Sequence, residues 1–160
     1  MTRVVDVDDD GVRIPLTRRR VAAIARAVLR AEAVDDARLS ITFVGNRRIA
    51  ALNRRHLRHR GPTDVISFRL APETPGGPLI GDIYVAPDVA RRNAAAHGSS
   101  LREELTRLVV HGVLHVLGFD HPDGRDRIAS CMWRRQEELV ASLQRFHSRS
   151  RRQRSARSAA

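Results

Sequence analysis

The 160-residue chain has no lysine, one cysteine, one tryptophan, one tyrosine, and no apolar run approaching a membrane span of about 18 residues. Each absence excludes something. The lone Cys131 cannot form an intramolecular disulfide, so the sequence predicts no disulfide-linked partner and fits a reducing compartment. The start, "MTRVVDVDDDGV", lacks the basic start and apolar block of a signal peptide. A soluble, cytoplasmic protein with no membrane partner is therefore the expectation. Aromatic residues make up 4% of the chain, too few for a platform on which bases stack. Any nucleic-acid binding should lean on phosphates.

What is present is arginine. The formal net charge is +11, and all 29 basic residues are arginine, whose planar fork matches phosphate bidentately. Codon bias could produce the same composition, so charge alone does not decide for RNA or DNA. Five of the arginines (149, 151, 152, 154 and 157) lie in an acid-free tail without apolar periodicity. Residues 146–160 are accordingly expected to be disordered, and 1–145 to form one domain with its own core.

Along the chain, "RVVDV" (3–7) reads as a strand before the turn "DDDG". Thr17 is placed to cap the helix "RRRVAAIARAVLRAEAV", in which Val21, Ile24, Ala25, Val28 and Leu29 recur at helical spacing. "RLSITFVG" (38–45) alternates as a strand, and "NRRIAALNRRHL" follows as a helix with Ile49 and Leu52 inward. Strands are predicted at 63–70 and 82–86, with the Pro/Gly-rich "APETPGGPLIG" as a loop between them. Pro87 opens a helix that Gly98 should end, and Ser100 with Glu103 forms a capping box for the helix starting at Leu101. A last helix should run from about Arg125 to Leu143, with Ile128, Met132 and Leu139 inward. The order of elements indicates an α+β (mixed α/β) domain, a small sheet covered by helices.

Residues 111–121, "HGVLHVLGFDH", carry the chemistry. His111 and His115 are one helical turn apart on one face, the spacing at which two imidazoles reach one ion. Gly118 can adopt the left-handed conformation that returns the chain, bringing His121 to the same ion. Three neutral nitrogens with an open fourth position describe a catalytic zinc, one per chain. Asp120 is placed to accept an imidazole N–H behind the metal.

The spacing equals that of metzincin proteases, H-E-x-x-H-x-x-G-x-x-H, except that Gly112 replaces their basic glutamate. A positioned general base contributes roughly 10²- to 10⁴-fold, so peptide hydrolysis becomes the alternative. Zinc lowers the pKa of bound water to about 7 without a carboxylate, and a phosphodiester then needs positive charge around its oxygens, which arginines provide.

On these residues the chain resembles the YbeY family of bacterial zinc-dependent endoribonucleases, also called rRNA maturation factors. The pattern H-G-x-L-H-x-x-G-x-D-H is met by His111, Gly112, Leu114, His115, Gly118, Asp120 and His121. "LN" (52–53), "PTDVISF" (62–68), "GDI" (81–83), Met132 and Glu137 or Glu138 follow the family's order.

The resemblance implies a mixed four-stranded sheet flanked by about five helices, with a zincin-like metal helix. It implies a single-strand-specific endoribonuclease acting in 16S rRNA 3′-end maturation and ribosome quality control, with ribosomal RNA and the small ribosomal subunit as partners. The nucleophile is either zinc-activated water or the RNA 2′-OH. A noncatalytic ribosome-binding factor with structural zinc is the other alternative.

One column departs from the family. Where many members carry a functional arginine, a gap-free alignment places Leu57. Arg58 is the expected replacement, catalytic together with His115, with Arg54, Arg55 and Arg60 sharing substrate binding. His56 and His59 are candidate proton carriers or plain helix-end residues. His97 is read as a helix-end compensator, and Asp82, at a strand start, as a residue that either approaches the site or simply faces water.

Overall fold

The computed structural model describes residues 1–57, 61–120 and 130–158. The chain divides into two compact units, Met1–Asp120 and His121–Ala160. The first contains β1 (Arg3–Asp8), α1 (Arg18–Ala31), β2 (Ala37–Phe43), α2 (Asn46–Leu52), β3 (Val65–Leu70), β4 (Leu79–Val85), α3 (Pro87–His97) and α4 (Leu101–Val116). The second contains α5 (Cys131–Ser158). The four strands form one sheet in the order β1-β2-β4-β3. β1, β2 and β4 are parallel, and β3 runs antiparallel to β4. With five α-helices described, this is the expected α+β fold.

Strand alternation sends successive side chains to opposite faces of the sheet. Val5, Leu39, Ile41, Phe43, Ile83 and Val85 are buried on one face. That face is covered by α1, which buries Val21, Ile24, Val28 and Leu29, and by α4. On the other face Ile66 joins Val44, Ile49 and Ala86 in a second cluster, against which Leu52, Phe68, Tyr84 and Val89 pack. α2 therefore lies across the sheet from α4.

Several boundaries differ from the sequence reading. β4 begins at Leu79, inside the stretch expected to be loop, because Leu79, Ile80 and Gly81 pair with Ala37, Arg38 and Leu39. α1 stops at Ala31 rather than Val34. Ala33 takes a left-handed φ of 56°, and Ala33 N–H and Val34 N–H donate back to the carbonyls of Arg30 and Leu29. This is a Schellman ending made without glycine.

The helix predicted through Leu57 changes character at Asn53. Asn53–Leu57 is a π-helical turn. Asn53 is buried, and its side-chain amide donates to the Gly61 carbonyl at 2.9 Å, tying the start of the turn to the start of the β3 approach.

In α5, Ser130 caps the first turn: its hydroxyl accepts from Trp133 N–H at 3.2 Å. Met132, Gln136, Leu139 and Val140 are buried and share one helical stripe, as the spacing of Met132 and Leu139 requires. Ile128 and the predicted helix start at Arg125 lie outside the described residues. Cys131 is exposed one position off this stripe. The Arg/Ser-rich segment 146–160, expected to be disordered, follows a helical backbone as far as Ser158. Arginine, glutamine and alanine favour helix, and neither glycine nor proline interrupts them.

Candidate metal centre and its basic surround

α4 is fixed at both ends by its own sequence. Ser100 Oγ accepts from Glu103 N–H at 3.2 Å, and Glu103 Oε2 accepts from Ser100 N–H at 3.0 Å. These bonds from Ser100, backbone first, hold the Glu103 carboxyl below its ordinary value. At the other end Gly118 has φ 99°. Its N–H donates to the His115 carbonyl and Phe119 N–H to the Leu114 carbonyl, each at 3.0 Å, a second Schellman ending. The left-handed conformation expected of Gly118 is thus present.

Between these ends the helix lies very close to the sheet. A Cβ at Gly112 would come 2.7 Å from Ile83 Cγ2 and 3.2 Å from Ser67 Oγ. A Cβ at Gly81 would overlap Val116. The two glycines let α4 and β4 approach face to face. The position at which a metzincin places its glutamate is here turned into the sheet, where a side chain would force Ile83 to shift.

Rotated roughly 100° from Gly112 at the helical period, His111 occupies an adjoining face with His115. The two ring centroids are 4.7 Å apart with their planes at 75°. His111 is 5% exposed and His115 is half-buried. Two neutral imidazoles side by side, one turn apart, suit a shared first-row metal ion. Among the described residues no three His, Cys, Asp or Glu side chains form a metal-holding group. His121, the predicted third ligand, lies outside the described residues. Asp120 stands exposed just beyond the turn.

β3 adds two residues that the sequence reading did not single out. Ser67 Oγ is buried without a hydrogen-bond partner and faces Gly112. Arg69, two residues on and on the same face, places Nη1 3.5 Å from where a Gly118 Cβ would stand. Strand alternation was the available signal: it puts residues 65, 67 and 69 on one face, with a serine and an arginine where apolar residues are usual.

The predicted substrate arginines follow α2 in the chain. Arg54 and Arg55 are exposed on the π-helical turn; Arg58 and Arg60 lie outside the described residues. Arg54 lines an open groove of about 730 Å³ with Arg47, Ala50, Ala51 and Gly61. His56 packs edge-on against Phe68, centroids 5.1 Å apart, on the α2 side of the sheet. No described contact joins Arg54, Arg55 or His56 to His111 or His115. Asp82 also belongs to that side, accepting from Ser40 Oγ at 2.7 Å, so it faces away from α4. His97 sits in the last turn of α3, before Gly98 with φ 66°.

Glu104, on α4, is buried 3.6 Å from Arg107. Burial pushes its carboxyl above the ordinary range, against the pull of the Arg107 and His97 charges and with the push of Asp64.

A family model described as Endoribonuclease YbeY matches residues 6–144. The chain belongs to the YbeY endoribonuclease family. Among its curated relatives is the Endoribonuclease YbeY of Anaeromyxobacter dehalogenans, 38% identical over 88% of this chain and 70% of the relative. That of Geobacillus kaustophilus is 36% identical over 88% of this chain and 96% of the relative. The fold is similar to the solution structure of TM1509 from Thermotoga maritima, with TM-score 0.58 and 24% identity over 91% and 93% of the two chains. The matched YbeY region thus takes in the whole His motif and nearly all of the described sheet. No helix among the described residues is long and apolar enough to cross a membrane.

Proposed function

We propose that the chain is a zinc-dependent, single-strand-specific endoribonuclease, with His111, His115 and His121 as the metal ligands. The observation that carries this reading is the pairing of His111 and His115 on the face of α4 that adjoins its contact with the sheet. The donor set fits zinc: two described imidazoles, nitrogen ligands of the kind zinc prefers, held on a rigid, doubly capped helix. Zinc, when bound, supplies Lewis acidity, polarising a phosphoryl oxygen and lowering the pKa of water to about 7.

The remaining chemistry falls to the chain itself. α4 holds the two imidazoles in fixed orientation against the sheet, so little ordering is left to do when substrate arrives. The arginines give the phosphodiester backbone its counter-charge. Position 112 cannot hold a carboxylate base, because the space a side chain would need is filled by Ile83 and Ser67. This favours phosphodiester over peptide cleavage. The cellular role we assign is 16S rRNA 3′-end maturation and ribosome quality control in the cytoplasm, in contact with the small ribosomal subunit.

The test is cleavage of a labelled single-stranded RNA by the protein and by His115→Ala, purified in parallel, with bound zinc measured in both. Cutting and about one zinc per chain in the parent, both lost in the variant, is the expected result. Equal cutting in both would assign the activity to a contaminant and reject the reading.

A further inference from the structure

Arg69, like Arg38 on β2, is an exposed strand arginine without a carboxylate partner among the described residues, and it is its place beside the histidine helix that sets it apart. Among the described residues, Arg3, Arg18 and Arg48 are paired with aspartates, and Arg107 with Glu104. Arg69 has neither a carboxylate partner nor a hydrogen bond there, and its side chain is exposed. Its place is set by the register: Arg69 lies opposite Gly81, and Gly81 is where Val116 of α4 presses on the sheet. The guanidinium consequently reaches the turn that ends the histidine helix, with Nη1 3.5 Å from the position a Gly118 Cβ would take.

Along α4, β3 touches Gly112 through Ser67 and the Gly118 turn through Arg69, and His115 lies between these two levels. By helical rotation Gly118 continues the face of His111 and His115 rather than that of Gly112. An unpaired, exposed cation at this level has an evident use. Guanidinium binds the oxygens of a phosphodiester bidentately, and it is most effective where no carboxylate competes for it.

We infer that Arg69 is a substrate-binding residue of this site, contacting a backbone phosphate of single-stranded RNA next to the bond that is cut. The inference rests on the endoribonuclease reading and adds a phosphate subsite to it. Ser67 prepares the approach without contacting RNA, since its Oγ is buried. Arg54 and Arg47 border a groove on the α2 side, so their contribution is separable from that of Arg69.

The experiment compares the parent with Arg69→Ala and Arg69→Lys, measuring RNA affinity from about 50 to 200 mM salt, steady-state cleavage, zinc content and thermal midpoint. In Arg69→Ala, KM should rise about tenfold with zinc retained and kcat less affected. The slope of log K against log salt should become shallower by about 0.7, one single-strand phosphate contact. Arg69→Lys should restore the salt slope but only part of the affinity, because lysine keeps the charge without the fork. An arginine serving only the helix end would lower the thermal midpoint and leave slope and KM unchanged, and that result overturns the inference alone. A parent that neither binds nor cuts the RNA brings down both this inference and the activity on which it rests.

Discussion

Gly112 on α4 and Ile83 on β4 face each other across a gap so narrow that a Cβ on Gly112 would sit 2.7 Å from Ile83 Cγ2. That contact sets the separation of the histidine helix from the sheet. It also removes the position from acid–base chemistry. Glycine in a helix interior costs about 1 kcal/mol relative to alanine, so its presence here needs a packing reason, and Ile83 is that reason.

Gly112→Ala should therefore fail to show the usual helix gain and instead lose about 1–2 kcal/mol, since overpacking of this kind costs roughly 1–3 kcal/mol. Gly112→Glu should lose more and gain no activity on casein. Thermal melts of Gly112→Ala, Ile83→Ala and the double variant form a cycle. The alanine at 112 should be better tolerated once Ile83 Cγ2 is gone, with a coupling of about 0.5 kcal/mol or more. Additive effects would show that the gap can relax and that the helix is not held at this point.

At the far end of α1, Ala33 carries the opposite arrangement, a left-handed φ of 56° at a residue with a Cβ. Ala33→Gly should relieve that strain and stabilise the protein by up to about 1 kcal/mol, although glycine generally destabilises. The midpoint should rise by about 2–4 °C for a chain of this size at the upper end of that gain. An unchanged or lower midpoint would mean that the loss of chain entropy outweighs the relief at this turn.

Much of α4 was legible because its signals are local. Ser100 and Glu103 are three residues apart, Gly118 follows the last turn, and His111 and His115 differ by one turn, so each relation lies within the reach of helical geometry. The start of β4 was not legible, since the pairing of Leu79 with Ala37 spans 42 positions and the preceding Pro and Gly residues resemble loop. Nor was the π-helical turn, whose first residue is tied down by a bond from Asn53 to Gly61 across the basic segment. Arg69 escaped notice for the same reason: its closeness to Gly118 is made by sheet register and by the small size of Gly81, not by spacing along the chain. The position-specific expectation for Arg54 and Arg55 came from alignment, which carries no information on which face of the sheet they occupy.

RNA binding should weaken steeply with salt, because few aromatic side chains are available and the phosphates must be met by arginine. Engagement of about four phosphates would give a slope near −3 for a single strand, measured by filter binding or anisotropy on an uncleavable RNA. A binding constant that does not move between about 50 and 200 mM salt would contradict the electrostatic account of substrate capture.

Glu104 should make stability depend on pH in a direction opposite to that of most structural carboxylates. Burial raises its folded-state pKa, so between the ordinary carboxylate value and the raised one the folded chain holds more protons than the unfolded chain. Stability consequently declines as pH rises through that window, while below it this group takes nothing away. Glu103 behaves the other way: its lowered pKa contributes stability that is present above the ordinary carboxylate value and lost as pH falls through the folded one. Glu104→Gln keeps the size of the side chain and removes the charge. Its stability relative to the parent should therefore improve from about pH 4 to pH 7, whereas Ser100→Ala should cost about 1 kcal/mol at neutral pH and less in acid. Thermal midpoints of the three proteins across that range separate the two effects. A Glu104→Gln curve parallel to the parent would show that the Arg107 charge, 3.6 Å away, fully offsets the burial of the carboxylate.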